Sequence, residues 1–463
     1  PAFWRAGPRA RPTGISEMKS EVWIPAVEAW NGKFQGVGNG GYQGSISYGA
    51  MAAALRRGYA TASTDTGHTG DDVVFGKGHP EKVVDFGWRA IHVMTDTAKL
   101  IVRNATGRFA SKSYFVDCSS GGHQAMSEAQ RFPDDYDGIV AGAPANNRIR
   151  QTFGFMWSWS ATHRADGTPI LDQAALSMVT QAAVAACDAT DGLKDGLIDD
   201  PRRCTFDPAS LACKGSATES CLTREQVDAV KKVYDGAKNP RTGEQIFTGW
   251  PRGSEAFGDS AIQGWRQYII SPKGPSRMGL FRHFLFHDPN WEASSLDYDR
   301  DLAYAEERIP HLAAVDRDLA PFKKSGGKLI MYAGWMDPVV PPQDNAAYYE
   351  AVAKRMGGYD KTRDFFRLFV APGMGHCAGG PGPNQFEALT ALEQWVEKGI
   401  APDTLLATHS TGGKVDRTRP LCPYPQVARY KGTGSVDEAA SFACVSPAAP
   451  KPARTEPAKT GQR

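Results

Sequence analysis

The chain has 463 residues, 41% hydrophobic and 22% charged, with a formal net charge of +2. This is ordinary globular usage, and at about 150 residues per domain it suggests two or three units, or one large α/β domain with an insertion. The near-neutral charge and lack of a basic stripe exclude an electrostatic footprint for nucleic acid, and no run of about 20 apolar residues is present to span a membrane.

Residue 1 is Pro and no apolar signal core follows it, so the chain reads as a mature or trimmed form. Residues 1–20 are rich in Arg, Pro and Gly and show no clear period. GKFQGV (32–37) and YATAST (59–64) read as strands entering loops. SYFV (113–116) is a strand, and GGHQAMSEAQRF after it has helical character. GIVAGAPA (138–145) is a further strand ending in Gly and Pro. From 146 to 314 the strand–helix rhythm fades, while aromatic residues (Trp157, Trp159, Trp250, Trp265, Phe281 and Trp291 among them) accumulate. Structureless loops of that length are uncommon, which favours an inserted domain at 146–314 over long loops on one sheet. KLIMYAG (328–334) and FRLFVAPG (366–373) resume the strands. The helix at 385–400 places Phe386, Leu389, Leu392, Trp395 and Val396 on one face. The alternation predicts an α/β fold with a mostly parallel sheet flanked by helices, built discontinuously from 1–145 and 315–445. The Pro-rich tail, 446–463, reads as disordered.

The eight cysteines form no CxxC pair, which disfavours a zinc knuckle. Proximity suggests Cys187 with Cys204, Cys213 with Cys221, and Cys422 with Cys444. Cys118 and Cys377 are left over. An even count with local pairing favours an oxidising compartment over a cytosolic enzyme with eight scattered thiols.

The stretch FVDCSSGGHQAM (115–126) raises the question of a nucleophile. A nucleophilic serine needs a sharp strand–turn–helix, usually G-x-S-x-G. The pentad here is Asp117-Cys118-Ser119-Ser120-Gly121, between a strand and a helix. Only the second glycine is present, so the pentad alone also fits an ordinary glycine-rich turn. Two later segments supply partners in the order Ser, Asp, His: Asp337 in WMDPVVPP and His376 in APGMGHCAGG, each after a strand. Ser119 directly follows Cys118, and His376 directly precedes Cys377. A Cys118–Cys377 bridge would hold its Cα atoms roughly 4.4–6.8 Å apart, making the hydroxyl and the imidazole neighbours. Such a long closed loop would also contribute roughly 4–5 kcal/mol on the chain-entropy account.

On these segments, with GNGGYQG (38–44), ASTDTGH (62–68) and YAGWMDPVV (332–340), the chain resembles the tannase and feruloyl esterase family of α/β-hydrolases over about residues 30–445. The family also contains the hydrolase of mono(2-hydroxyethyl) terephthalate. The resemblance implies an α/β-hydrolase core and a lid over the site. It also implies Ser119 as nucleophile, His376 as general base and acid, Asp337 as the residue orienting the imidazole, and a Cys118–Cys377 disulfide. Two positions depart from the family's usual pattern. Asp117 stands where glycine usually precedes the cysteine, and His123 stands where arginine usually follows the two glycines.

An oxyanion needs preorganised N–H donors. One is expected from Ser120, just after the nucleophile, and the other from Gly40 or Gly41 in the early glycine loop. In CDATDGLKDGLIDDPRRC (187–204), Asp188, Asp191 and Asp195 alternate with Gly192 and Gly196, a pattern of hard carboxylates on a turning backbone that suits Ca²⁺. The spacing is not that of an EF-hand. The segment resembles the family's calcium loop, which implies a structural Ca²⁺ held by Asp188, Asp191 and Asp195 with the carbonyls of Leu193 and Leu197. Asp65 and His68 lie close together in STDTGH and read either as a second dyad or, preferably, as a hydrogen-bonded turn.

The combined reading is a secreted or periplasmic serine carboxylic ester hydrolase acting on a small aromatic acyl ester of feruloyl, caffeoyl or galloyl type through an acyl-enzyme. A hydrolase of mono(2-hydroxyethyl) terephthalate is the alternative substrate reading, and it requires a cation for the free carboxylate. The insertion offers Arg241, Arg252, Arg266, Arg277 and Arg282, with no ground for choosing among them. A non-catalytic aromatic-binding protein on a hydrolase scaffold predicts binding without turnover, and a peptidase on the same fold predicts amide cleavage.

Overall fold

Alternating residues of the central strands face opposite sides of one sheet, and both sides are buried. The computed structural model describes residues 2–216, 218, 220–256, 264–271 and 273–446. All but Ser446 of the tail expected to be disordered lies outside these residues. The strands are β1 (Phe3–Ala6), β2 (Arg9–Ala10), β3 (Met18–Pro25), β4 (Lys33–Gly36), β5 (Ala60–Thr64), β6 (Lys112–Cys118), β7 (Gly138–Gly142), β8 (Lys328–Gly334) and β9 (Phe366–Ala371). Their order is β1-β3-β5-β4-β6-β7-β8-β9, with β2 paired to β3. From β5 to β9 every pairing is parallel; β1, β2 and β3 are antiparallel.

Phe115, Ile139, Leu329, Met331 and Leu368 face one side, packed against Ile91, Met94 and Ala98 of the helix Ala90–Thr106 and Ala125, Met126 and Ala129 of the helix Ser120–Arg131. Their sequence neighbours Tyr114, Val140, Ile330 and Phe369 face the other side, against Leu389, Leu392 and Trp395 of the helix Ala388–Lys398. Strands buried on both faces read as near-continuous apolar runs, which is how they appear in the sequence. The helix expected at 385–400 is shorter than read. Phe386 precedes it and packs edge-on against Tyr332, with ring centroids 5.0 Å apart.

Residues 1–20, read as aperiodic, contribute β1, β2 and the start of β3. The residues of β1 are mostly exposed, so no burial rhythm marks them and β1 forms by pairing with β3, whereas β3 itself is mostly buried, with Val22 and Ile24 in the core. The C-terminal hairpins were also missed: β10 (Leu405–Thr411) with β11 (Lys414–Leu421), and β12 (Val427–Tyr430) with β13 (Phe442–Val445).

Between β7 and β8 the described residues hold no strand. They form the helices Arg148–Thr162, Gln173–Cys187, Arg224–Asp235 and Arg300–Arg308 with short turns. The third shows why these sequences fold locally: Thr223 and Gln226 exchange a capping box, Val227, Val230 and Val233 form the buried stripe, and Gly236 follows. This segment builds its own apolar cluster around Phe153, Trp250, Trp265 and Phe281, which Tyr42, Val83 and Phe86 join from the preceding part of the chain. The aromatic residues concentrated here are therefore chiefly core.

Candidate active site

The sheet has its switch point between β4 and β6. The chain leaves β4 toward β5 on one side, then returns past it to β6. Clefts in α/β folds open at the carboxyl ends of strands at such a point. There, β6 runs directly into the helix Ser120–Arg131 through Ser119, whose φ is +64°. A non-glycine residue in this region is strained, and the surroundings must enforce it. The Ser119 N–H donates to the Gly142 carbonyl at 2.9 Å, and the Ser119 carbonyl accepts the His123 N–H at 3.0 Å. Gly122 permits the close helix–strand approach, since a Cβ there would lie 2.3 Å from the Gly142 carbonyl oxygen.

Ser119 Oγ lies 2.8 Å from His376 Nε2, and His376 Nδ1 lies 2.7 Å from Asp337 Oδ2. The other oxygen of Asp337 accepts the N–H groups of Val339 and Val340 at 2.8 and 2.9 Å. Those bonds fix the carboxylate, and the fully buried Asp337 in turn fixes the ring. The β9 loop must travel to reach Ser119, because β7 and β8 lie between β6 and β9. It crosses the end of β8, where the Met374 carbonyl accepts the Met336 N–H at 2.9 Å. The disulfide Cys118–Cys377, with Cα atoms 6.0 Å apart, closes the crossing. The other disulfides are Cys187–Cys204, Cys213–Cys221 and Cys422–Cys444.

The loop after β4 packs on the elbow. Ser120 Oγ donates to the Gly41 carbonyl at 2.7 Å, so the contact between Gly41 and the elbow runs through its carbonyl. Gly40 is exposed in the same loop. Asp117 lies beneath, accepting the Cys118 N–H at 2.6 Å. Burial pushes its carboxyl up to about 7, against the opposing pull of the Cys118 and Gly38 N–H groups. His123 is buried with its ring nitrogens 3.2 Å from the carbonyls of Ala145 and Gly87. Burial, reinforced by the Arg148 charge, pulls it down to about 3 and keeps it neutral.

Ser119 and Ser120 open onto a small cavity lined also by Tyr42, Arg148, Phe155 and Arg277. The guanidinium of Arg148 lies 5.8 Å from the Tyr42 ring and that of Arg277 lies 4.7 Å from it. Arg148 is buried, its Nε has no hydrogen-bond partner, and its Nη1 reaches only the Gly41 carbonyl, at 3.4 Å. Among the described residues no carboxylate lies within ion-pair distance of either arginine. Burial pulls Arg148 down to about 10, with Tyr42 opposing and Arg277 adding to the fall. Of the five arginines of the insertion considered in the sequence, Arg277 lines this cavity. Arg148 was overlooked, although a charged residue opening a mostly apolar helix at the carboxyl end of β7 was a usable signal.

Asp65 and His68 make separate bonds. Asp65 accepts the Lys19 and Gly67 N–H groups, each at 2.9 Å. His68 Nε2 lies 2.7 Å from the Tyr42 carbonyl oxygen, and its ring stacks on Phe75. They form a satisfied turn. In the acidic loop, Asp188 accepts the N–H groups of Asp195 and Gly196 at 2.9 and 3.1 Å, and Asp191 accepts that of Leu193 at 2.9 Å. Gly192 and Gly196 turn the backbone at φ +93° and +82°. Asp195 accepts the Leu197 N–H, and its other oxygen pairs with buried Arg419 at 2.6 Å. Asp188, Asp191 and Asp195 with the Leu193 and Leu197 carbonyls offer only oxygen donors, the type Ca²⁺ takes, but the three carboxylates do not converge within 4.8 Å of one another: they turn to backbone N–H groups and, for Asp195, to Arg419.

The fold and the serine–histidine–aspartate geometry are those of an α/β-hydrolase. The family model described as tannase and feruloyl esterase matches residues 9–445, and the chain belongs to that family of carboxylic ester hydrolases. It is 38% identical to an esterase of Xanthomonas campestris pv. campestris and 35% identical to the mono(2-hydroxyethyl) terephthalate hydrolase of Piscinibacter sakaiensis, covering in each case 96% of this chain and 84% of the relative. The crystal structure of feruloyl esterase B from Aspergillus oryzae superposes with a TM-score of 0.88 at 31% identity, over 96% of this chain and 90% of that one.

Proposed function

We propose that Ser119, His376 and Asp337 cleave esters of aromatic carboxylic acids through an acyl-enzyme. The 2.8 Å contact between Ser119 Oγ and His376 Nε2 carries this reading. His376 Nε2 takes the hydroxyl proton as Oγ bonds to the ester carbonyl carbon, and the N–H of Ser120 faces the resulting oxyanion. Collapse breaks the bond to the alcohol oxygen, which leaves with the proton from His376. Water then loses a proton to the same nitrogen, attacks the acyl carbon and releases the acid, returning the proton to Ser119. Asp337 stabilises the imidazolium throughout.

The unpaired guanidiniums of Arg148 and Arg277 favour a second, narrower reading: the acyl ring bears a free carboxylate. A buried arginine without a counter-ion is costly, and a bidentate carboxylate is its best partner. A monoester of terephthalic acid has this chemistry. The four disulfides support a secreted or periplasmic site of action. Residues 146–314 cover the cavity as a lid, stapled by Ca²⁺ at Asp188, Asp191, Asp195, Leu193 and Leu197. That ion would hold the loop and take no part in the chemistry.

The test compares methyl ferulate, methyl gallate and mono(2-hydroxyethyl) terephthalate. Ser119→Ala should lower kcat roughly 10³-fold or more on every ester cleaved. Arg148→Met should raise KM about tenfold or more for the carboxylate ester and leave the neutral esters within about twofold. Equal effects on charged and neutral esters would remove the narrower reading and leave the serine chemistry standing.

A further inference from the structure

A second cluster lies at the far end of the helix that begins at Ser120. His92 comes from the helix Ala90–Thr106, Glu128 from the last turns of the Ser120–Arg131 helix, and Asp135 from the turn before β7. One ring nitrogen of His92 and one carboxylate oxygen from each acid all lie within 4.8 Å of one another. Among the described residues no other trio of histidine, cysteine or acidic side chains converges this closely.

The environment of Glu128 suggests what they converge on. The residue is 0% exposed and neither carboxylate oxygen has a hydrogen-bond partner. A buried acid without a partner is a costly arrangement. Asp135 stands beside it as a second acid. His92 Nδ1 lies 2.7 Å from Asp135 Oδ2, and its ring is held by stacking on Phe132 with centroids 3.6 Å apart. Asp96 lies 3.7 Å from the other ring nitrogen. Lys99 is the nearby cation: its Nζ donates to the Asp135 backbone carbonyl and its charge partly offsets that of the acids.

We propose that His92, Glu128 and Asp135 bind a divalent transition-metal ion of the Zn²⁺ class, at a site separate from the ester-cleaving centre and from the acidic loop. One imidazole nitrogen with two carboxylate oxygens is a borderline N/O set that suits Zn²⁺ or Co²⁺ and disfavours Ca²⁺. The His92 side chain is 26% exposed, leaving a side open for water as a further ligand. The ion would neutralise the paired acids and join the helix Ala90–Thr106 to the helix that carries the nucleophile at its other end.

The test uses the full chain stripped of metal and titrated with Co²⁺, followed by its visible d–d absorption. Wild type should take up an equivalent that Glu128→Gln and His92→Ala each bind about tenfold or more weakly. Zn²⁺ should raise the Tm of wild type at concentrations about tenfold lower than those needed for either variant, while both variants keep their circular dichroism. Glu128 is deeply buried, so partly exposed His92 provides the variant that preserves folding if Glu128→Gln does not. Absence of Co²⁺ binding, or equal binding by wild type and His92→Ala, would overturn the site and leave Glu128 and Asp135 as acids sharing a proton.

Discussion

Asp117 occupies the position before the Cys-Ser pair where the family usually has glycine, and its carboxyl is raised to about 7 by burial. Between the ordinary carboxylate range near 4 and about 7, the folded chain keeps a proton that the unfolded chain has released. The stability this contributes is complete below that range and is lost as pH rises through about 7. Asp117→Asn mimics the neutral acid, so it should match wild type near pH 4 and exceed its Tm by several degrees near pH 8. Thermal unfolding across pH checks this, and a gap independent of pH would show that Asp117 is ionised throughout. Arg148 makes the complementary point at the same scale. Its isolation from carboxylates is a property of its neighbours, and nothing in RIRQTF announces it.

At the scale of elements, the elbow joins two signals that were readable separately. The strand ending at Cys118 and the helix starting at Ser120 were legible as a change of period, and Gly122 explains their close approach. What joins the elbow to the β9 loop is the Cys118–Cys377 tether, 259 residues apart in sequence. The double variant Cys118→Ser/Cys377→Ser should lose roughly 5 kcal/mol on the chain-entropy account, read as a lower Tm. It should also lose about tenfold or more in kcat with a smaller change in KM, because misplacing the imidazole affects the chemical step. An unchanged kcat would show that the crossing over β8 positions His376 unaided. β1 is mostly exposed, and the C-terminal hairpins pack Leu405, Ala407 and Leu421 against Val140, Ile330 and Phe369 of the sheet, so their place depends on contacts distant in the chain rather than on a local apolar period.

Over the whole molecule, the insertion and the sheet share a boundary. Gln151 Nε2, on the first helix of the insertion, donates to the Val339 carbonyl at 2.8 Å, beside the turn that holds Asp337. Anything that loosens the insertion therefore reaches the site. Removing Ca²⁺ with chelator should lower Tm by several degrees, and Asp188→Asn should lower the starting Tm and blunt the response to chelator. Restoring Ca²⁺ should recover the wild-type value, and a chelator-insensitive Tm would remove the ion from the acidic loop.

The sequence alone carried the α/β class, the order Ser119, Asp337, His376 and three of the disulfide pairings, and its family resemblance implied the fourth, Cys118–Cys377. Most of these are local in the chain: apolar period, glycine at a turn, cysteines within 22 residues of each other. Long-range packing decided the rest. It brought His376 across β8 to Ser119, left Arg148 buried without a counter-charge in the cavity, and set Glu128 beside Asp135 and His92. Burial and charge neighbourhood are properties of distant segments meeting, so no reading of one segment at a time contains them.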